Sequence, residues 1–363
     1  MANRVVNFNA GPAALPLAVL EKIGGELLDY KGTGISIMES SHRSPEYDEI
    51  NEAAIALTRE LMGLDDKFHV LFVGGGASTQ FALLPMNFLP SDKCGAYVDT
   101  GSWSSKAIKE CEIQGRMHLA AGSKEEAYRR IPKQEEIDIP SDAAYLHITT
   151  NNTIKGTQWH YIPDTKGVPL VADMSSDILS RRIDYNKFAM MYAGAQKNLG
   201  PSGATMVIIR DDFLQTAKDG LPTMFDYRTH ANKKSLYNTP PAFGVYVIKL
   251  VLDWIKDQGG LAAVEKVNDD KQKLLYGVFD KLPEYYKGTA DADSRSWMNV
   301  TFRLPNEDLE KKFVADAKAA GMIGLKGHRS VGGCRASIYN ATDLEGCRTL
   351  AKFMEEFAKN NPA

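Results

Sequence analysis

The sequence predicts an α/β protein: a large domain on a mostly parallel seven-stranded sheet, followed by a smaller C-terminal α+β domain. Seven short apolar segments alternate with helical stretches through the first two-thirds of the 363 residues. Several of those segments are apolar throughout, as strands covered by helices on both faces must be. Beyond about residue 262 the pattern changes to two strands among amphipathic helices. Together these observations set the class.

In chain order the strand candidates are HVLFV (69–73), GAYVD (95–99), RMHLA (116–120), AYLHIT (144–149), VPLVAD (168–173), AMMYAG (189–194) and TMVIIR (205–210). Ahead of them, Ser44-Pro45 supplies an N-cap and a first-turn proline. Ile50, Ala54, Leu57 and Leu61 then recur at helical spacing. A long helix over 243–258 follows the strands, stopped by Gly259-Gly260. The remainder reads as a helix near 262–281, a strand WMNVTFRL (297–304), a helix near 307–320, a strand RASIY (335–339) and a last helix over 343–359.

Hydrophobic residues make up 44% and charged residues 25%, an ordinary globular composition. Lys+Arg 43 against Asp+Glu 46 leaves a net charge of -3, which exerts no general pull on nucleic acid or an anionic membrane. Any anion site must be local. MANRVVNFNAGPAALP has no basic segment leading into a long apolar run, and no stretch approaches the ~18 apolar residues of a membrane span. Cys94, Cys111, Cys334 and Cys347 lie far apart with no CxxC pair, so they read as reduced, structural thiols. The expectation is a cytoplasmic protein with no nucleic-acid or membrane partner and no metal site.

Polar residues gather at the strand ends, where open α/β sheets bind ligands. In MYAGAQKNLGPSG (191–203), Lys197 ends an apolar run amid small residues, an unusual place for a side chain that normally seeks solvent. VPLVAD ends at Asp173; GAYVDTGSW carries Trp103; AYLHITTNNT carries Thr153. HVLFV runs into GGGAST (74–79), a glycine turn opening a helix, whose bare N–H groups suit a phosphate. Ser78 and Thr79 add hydroxyls. An amine, an acid, a phosphate cradle and an aromatic face fit an aldehyde cofactor with a ring nitrogen. The lysine forms the Schiff base, the acid keeps the pyridine nitrogen protonated, and the tryptophan stacks on the ring. Together they describe pyridoxal phosphate. The competing reading, a nucleotide-binding module on the GGGAST turn, has neither GxGxxG nor GxxxxGK[ST] to support it.

At this point the chain resembles the phosphoserine aminotransferase family, fold type I pyridoxal-phosphate enzymes of the class V aminotransferase group. The resemblance runs nearly end to end: NFNAGPAALP, SHRS (41–44), TGSWS (100–104), NNTIKGTQW (151–159), VADMSSDILSR (171–181), GAQKNLGPSG (194–203), YNTPP (237–241) and GHRSVGGCRASIYNA (327–341). It implies that Lys197 is the Schiff-base lysine, that Asp173 pairs with the ring nitrogen, that Trp103 stacks on the ring and that Thr153 lies beside its polar edge. Gln196, Ala77 and Ser78 fall where the family holds the cofactor phosphate. Asn238 and Thr239 match residues that reach that phosphate from the neighbouring subunit, so a homodimer with shared active sites is implied. Also implied are an N-terminal segment (1–16) packing with the small domain, a large cofactor-binding domain (17–262) and a small domain (263–363).

Arg335 matches the residue that grips the substrate α-carboxylate, a bidentate task suited to arginine. His42-Arg43 and His328-Arg329 point to the far anionic end of the substrate, a phosphate or a side-chain carboxylate. One departure is visible: some members carry an arginine in the glycine loop, where this chain has GGGASTQF. Distal anion binding then rests more on His42, Arg43, His328 and Arg329. The implied reaction is 3-phosphohydroxypyruvate plus L-glutamate to O-phospho-L-serine plus 2-oxoglutarate, in L-serine synthesis. The family also acts in pyridoxine synthesis. Serine–glyoxylate aminotransferases and cysteine desulfurases of the same group are the rivals. Neither needs paired His-Arg sites, and no cysteine here sits in an obvious mobile catalytic loop.

Overall fold

The computed structural model describes residues 4–362. Its main sheet holds seven strands: β1 (Phe68–Val73), β2 (Cys94–Asp99), β3 (Met117–Gly122), β4 (Ala143–Thr149), β5 (Leu170–Asp173), β6 (Met190–Gly194) and β7 (Thr205–Arg210). The order across the sheet is β1-β7-β6-β5-β4-β2-β3. β7 runs antiparallel to β1 and β6, and every other neighbouring pair is parallel.

The continuous apolar strands have the cause expected of them. Val70, Phe72, Ala96, Val98, Leu146, Ile148, Met191 and Ala193 enter one core. The alternate residues Leu71, Tyr97, Tyr145, Met190 and Tyr192 enter another. The first core also receives α1 (Leu17–Glu26), α2 (Pro45–Met62) and α5 (Ala242–Asp257), and the second receives α3 (Gly76–Phe88) and α4 (Ser102–Gln114). Both faces of the sheet are therefore buried. α2 starts where the sequence says it should: Ser44 Oγ accepts from the Tyr47 N–H at 3.3 Å and Pro45 opens the first turn.

Several strand ends depart from expectation by up to two residues, and one has a plain cause. VPLVAD predicts a start at 168, but β5 begins at Leu170. Pro169 has no N–H for the ladder and contributes only its carbonyl, to the Leu146 N–H at 2.8 Å.

The C-terminal part packs α6 (Gly260–Lys281), α7 (Glu307–Ala319) and α8 (Leu344–Asn360) around a three-stranded antiparallel sheet of β8 (Lys287–Gly288), β9 (Asn299–Arg303) and β10 (Cys334–Ser337). α6 serves two cores. Leu261 and Val264 belong to the sheet's core, while Leu275, Val278 and Phe279 belong to the C-terminal one. Val6–Asn7 pairs in parallel with Met322–Ile323, and Phe8 is buried in the C-terminal core. The four cysteines are buried and unpaired. Among the described residues no helix is long and apolar enough to cross a membrane, and no acid, histidine or cysteine cluster fits a metal ion.

Candidate active site

Four parallel strands end on one edge of the sheet and deliver the site. β6 closes at Gly194, and the chain turns through Lys197. A Cβ at Gly194 would stand 2.7 Å from Gln196 Oε1, so a larger residue there would have to push the Gln196 side chain aside. Lys197 is partly buried, and its Nζ donates to Thr153 Oγ1 at 2.7 Å. The same ammonium lies 5.3 Å from the centroid of the Trp103 indole. Burial lowers the lysine to about 8; the Asp173 charge raises it and the Arg335 charge lowers it. The N-terminal segment covers this turn: the Ala13 N–H donates to the Gln196 carbonyl at 2.9 Å.

Asp173 ends β5 and is buried. Ser175 donates to its Oδ1 twice, from the backbone at 2.9 Å and from the hydroxyl at 2.6 Å. Both bonds fall on one oxygen, which leaves Oδ2 for another donor. Burial raises the carboxyl above its ordinary value, against the lowering effects of Lys197 and Ser175. Trp103 stands in the first turn of α4, and its Nε1 is buried without a partner. Asp99 secures that turn, accepting from Ser104 Oγ and Ser105 Oγ at 2.8 Å each.

β1 leads into Gly74-Gly75, with Gly75 in the left-handed region at φ 94, and α3 begins at Gly76. Ala77 and Ser78 lie in its first turn with no side-chain cap on the free N–H groups. Thr79 spends its hydroxyl on the Gly75 carbonyl at 2.9 Å, so Ser78 supplies the available hydroxyl.

Arg335 reaches the same centre from β10. Its Nη1 donates to the Thr153 carbonyl at 3.2 Å, and its Nε is buried without a partner. His328 pairs with the Ser330 hydroxyl at 2.7 Å. Burial, then the charges of Arg335, Arg329 and Lys106, holds its imidazole below the ordinary range. Lys106 escaped the sequence reading. Its Nζ lies 4.5 Å from the Trp103 ring, because three residues along a helix share a face. That spacing was visible, but only Trp103 gives it meaning. Ser175, two residues beyond Asp173, had no such signal.

Among the described residues, the remaining expected ones make no hydrogen bond to Lys197, Asp173, Thr153 or Arg335, although Asn238 and Thr239 lie beside the glycine turn before α3. Arg43 is exposed in the turn before α2, and His42 Nε2 is buried without a partner. Asn238 and Thr239 are exposed and line a cleft of about 480 Å³ with Gly74, Gly75 and Thr79.

The residues fit pyridoxal phosphate. Asp173 keeps an oxygen for a ring nitrogen, the α3 N-terminus is open to a phosphate, and Lys197 has the lowered basicity that an imine-forming amine needs.

Comparison with known proteins gives the same answer. The aminotransferase class-V family profile matches residues 5–350. A phosphoserine aminotransferase of Desulfosudis oleivorans is 57% identical over 363 residues, covering 99% of this chain and 100% of that one. The structure of the phosphoserine aminotransferase from Bacillus circulans subsp. alkalophilus superposes with a TM-score of 0.97 at 52% identity, covering 99% of both chains. A pyridoxal-phosphate-bound phosphoserine aminotransferase from Trichomonas vaginalis superposes with a TM-score of 0.91 at 36% identity, covering 97% of this chain and 100% of that one. The chain belongs to the class-V aminotransferases and, within them, to the phosphoserine aminotransferases, pyridoxal-phosphate-dependent transaminases of fold type I.

Proposed function

We propose that this chain moves the amino group of L-glutamate to 3-phosphohydroxypyruvate, giving 2-oxoglutarate and O-phospho-L-serine for L-serine synthesis. The observation that carries the reading is the double use of Thr153, whose hydroxyl meets Lys197 while its carbonyl meets Arg335. A reacting amine and a carboxylate grip are thereby set side by side.

When bound, pyridoxal phosphate supplies the electrophilic carbon and the electron sink. The protein does the rest. The first turn of α3, with Ala77 and Ser78, and the Gln196 side chain would receive the phosphate. Asp173 holds the ring nitrogen protonated, and Trp103 covers the ring face. Arg335 takes the α-carboxylate common to both amino-acid substrates. Once displaced by substrate, Lys197 would be the base that takes the Cα proton and, as its conjugate acid, would deliver it to the cofactor's aldehyde-derived carbon rather than back to Cα. A basicity near 8 leaves an appreciable neutral fraction at physiological pH.

His328, Arg329 and Lys106 form a cationic group beside Arg335, suited to the far phosphate or carboxylate. The phosphate contact from Asn238 and Thr239 enters this reading through a homodimer with shared sites, and His42-Arg43 is kept for the far anionic end of the substrate. The division into a segment (1–16), a large domain (17–262) and a small domain (263–363) is supported by the separate C-terminal core that includes Phe8.

The test is purified protein with L-glutamate and a panel of phosphorylated and plain keto acids, including the phosphorylated keto acid of pyridoxine synthesis. Equal rates on plain and phosphorylated acids would remove the phosphoserine assignment. Borohydride reduction followed by peptide mass mapping tests the lysine, and cofactor fixed to any lysine other than Lys197 would overturn its role.

A further inference from the structure

The strand carrying Arg335 and the turn carrying Lys197 are joined by a buried polar network that the reading above leaves unused. Asn340 lies just past β10. Its backbone N–H donates at 2.9 Å to Oδ1 of Asn198, the residue after Lys197. Its side-chain amide donates to the Leu179 carbonyl at 2.9 Å, and its Oδ1 accepts from Asn268 at 2.8 Å. Asn268, on α6, also donates to the Ser180 carbonyl at 2.8 Å. One turn further along α6, Lys271 is fully buried at 0% exposure. Its Nζ donates to the carbonyls of Ile338, Tyr339 and Thr342 at 3.0, 2.9 and 2.9 Å.

This arrangement is energetically expensive. An ammonium has three protons, and here all three are spent on carbonyls of a single turn, with no carboxylate among its hydrogen-bond partners. Burying a lysine that way forfeits its hydration. Leu179, whose carbonyl Asn340 holds, sits at φ 57, a conformation leucine seldom adopts. Strain and buried charge persist only where surrounding structure over-determines them, and such features cluster at functional sites. Here they converge on the join between two halves of one site.

We infer that Asn340, locked by Lys271 and Asn268, is a positioning residue that holds the Lys197 turn in register with Arg335 through Asn198. The inference rests on the reading of Lys197 as the reacting amine and Arg335 as the carboxylate grip. Substrate anchored on Arg335 must offer its Cα proton to Lys197. A slip of about 1 Å between the two costs up to about a hundredfold in rate.

Asn198→Ala removes the acceptor that Asn340 uses, together with the bond from Asn198 Nδ2 to the Ile178 carbonyl, and leaves every side chain of the site unchanged. With holoenzyme, single-turnover amino transfer from L-glutamate should slow about 10- to 100-fold per bound cofactor. Calorimetric affinity for glutarate, an unreactive dicarboxylate, should stay within about threefold, since Arg335 itself is intact. Lys271→Gln, which keeps a donor but not three, should show the same split and decides the matter if Asn198→Ala yields no folded holoenzyme. A rate within about threefold of the parent, whatever the loss of melting temperature, overturns the inference. So does a fall in glutarate affinity that matches the fall in rate, because the network would then merely hold the Arg335 strand. A Lys197→Ala control separates the two levels: if it keeps the glutamate reaction, the underlying site reading fails instead.

Discussion

Lys197 Nζ donates to the hydroxyl of Thr153 at 2.7 Å. Thr153→Val keeps the side-chain shape and removes that acceptor. A hydrogen bond to a charged group contributes about 1.5–3 kcal/mol, so turnover should fall at least about tenfold. Cofactor should remain bound, because Asp173, Trp103 and the α3 turn are untouched. Thr153→Ser should recover most of the rate. A valine variant as fast as the parent would take Thr153 out of the site.

The basicity of Lys197 gives a pH prediction. An amine lowered from 10.5 to about 8 becomes neutral, and so reactive, above about pH 8. In cofactor-free protein, labelling with an acylating reagent should reach half its maximal rate at Lys197 near pH 8, well below surface lysines. Asp173 raises this value, so Asp173→Asn should move the midpoint lower still. The stability consequence has a definite sign. Folded protein disfavours the proton, so this penalty is fully present below pH 8 and is relieved as pH rises toward 10.5. Lys271, also lowered to about 8, acts in the same direction. Peptide mapping that puts the Lys197 midpoint near 10.5 would contradict both statements.

The two substrate ends should separate by mutation. Arg335→Lys should impair amino donor and phosphorylated acceptor alike, since each carries an α-carboxylate. Losing the bidentate partner of a charged pair costs about 2–5 kcal/mol. Lys106→Met and Arg329→Met should instead raise KM for the phosphorylated keto acid and leave alanine-like substrates nearly unchanged. His328 adds a pH dependence. Its imidazole is held low by burial and by Arg335, Arg329 and Lys106, so removing Lys106 should raise it. Steady-state kinetics across both substrate types checks all three variants. An Arg335→Lys defect confined to phosphorylated substrates would reverse the assignment of the ends.

What could be read from the sequence follows from which forces are local. Strands such as Met190–Gly194 announce themselves because burial on both faces demands apolar residues at every position. The Ser44-Pro45 start of α2 is equally plain, since a cap depends on a few adjacent atoms. The antiparallel course of β7 leaves no such trace, because its residues are as buried as those of its parallel neighbours. Lys197, Asp173, Trp103, Thr153 and Arg335 were picked out by their place at strand ends and by motif. Lys106 was not, because its role depends on a ring three residues away and an imidazole more than 200 positions on. Lys271 reads as one more charge on an amphipathic helix. Only the tertiary fold brings the 338–342 carbonyls to it.

The final prediction concerns Asn238 and Thr239. In the single chain both are exposed and share a cleft with Gly74 and Gly75, and the Asn238 amide donates to the Thr239 carbonyl at 3.2 Å. In the proposed homodimer these two exposed polar side chains, on a Pro-flanked segment, would face a second copy. If they complete the partner's phosphate site, two defective variants should rescue each other. One subunit carries Lys197→Ala, the other Asn238→Ala with Thr239→Ala. In the hybrid dimer one site combines the intact Lys197 of the second subunit with the intact segment of the first, while the other site collects every defect. Dissociation and reassociation should therefore restore activity above both parents, with one good site per hybrid. A segment serving its own subunit would leave one broken element in each site and give no rescue. Hybrids verified by mass measurement but no more active than the parents would assign Asn238 and Thr239 to their own chain's cleft.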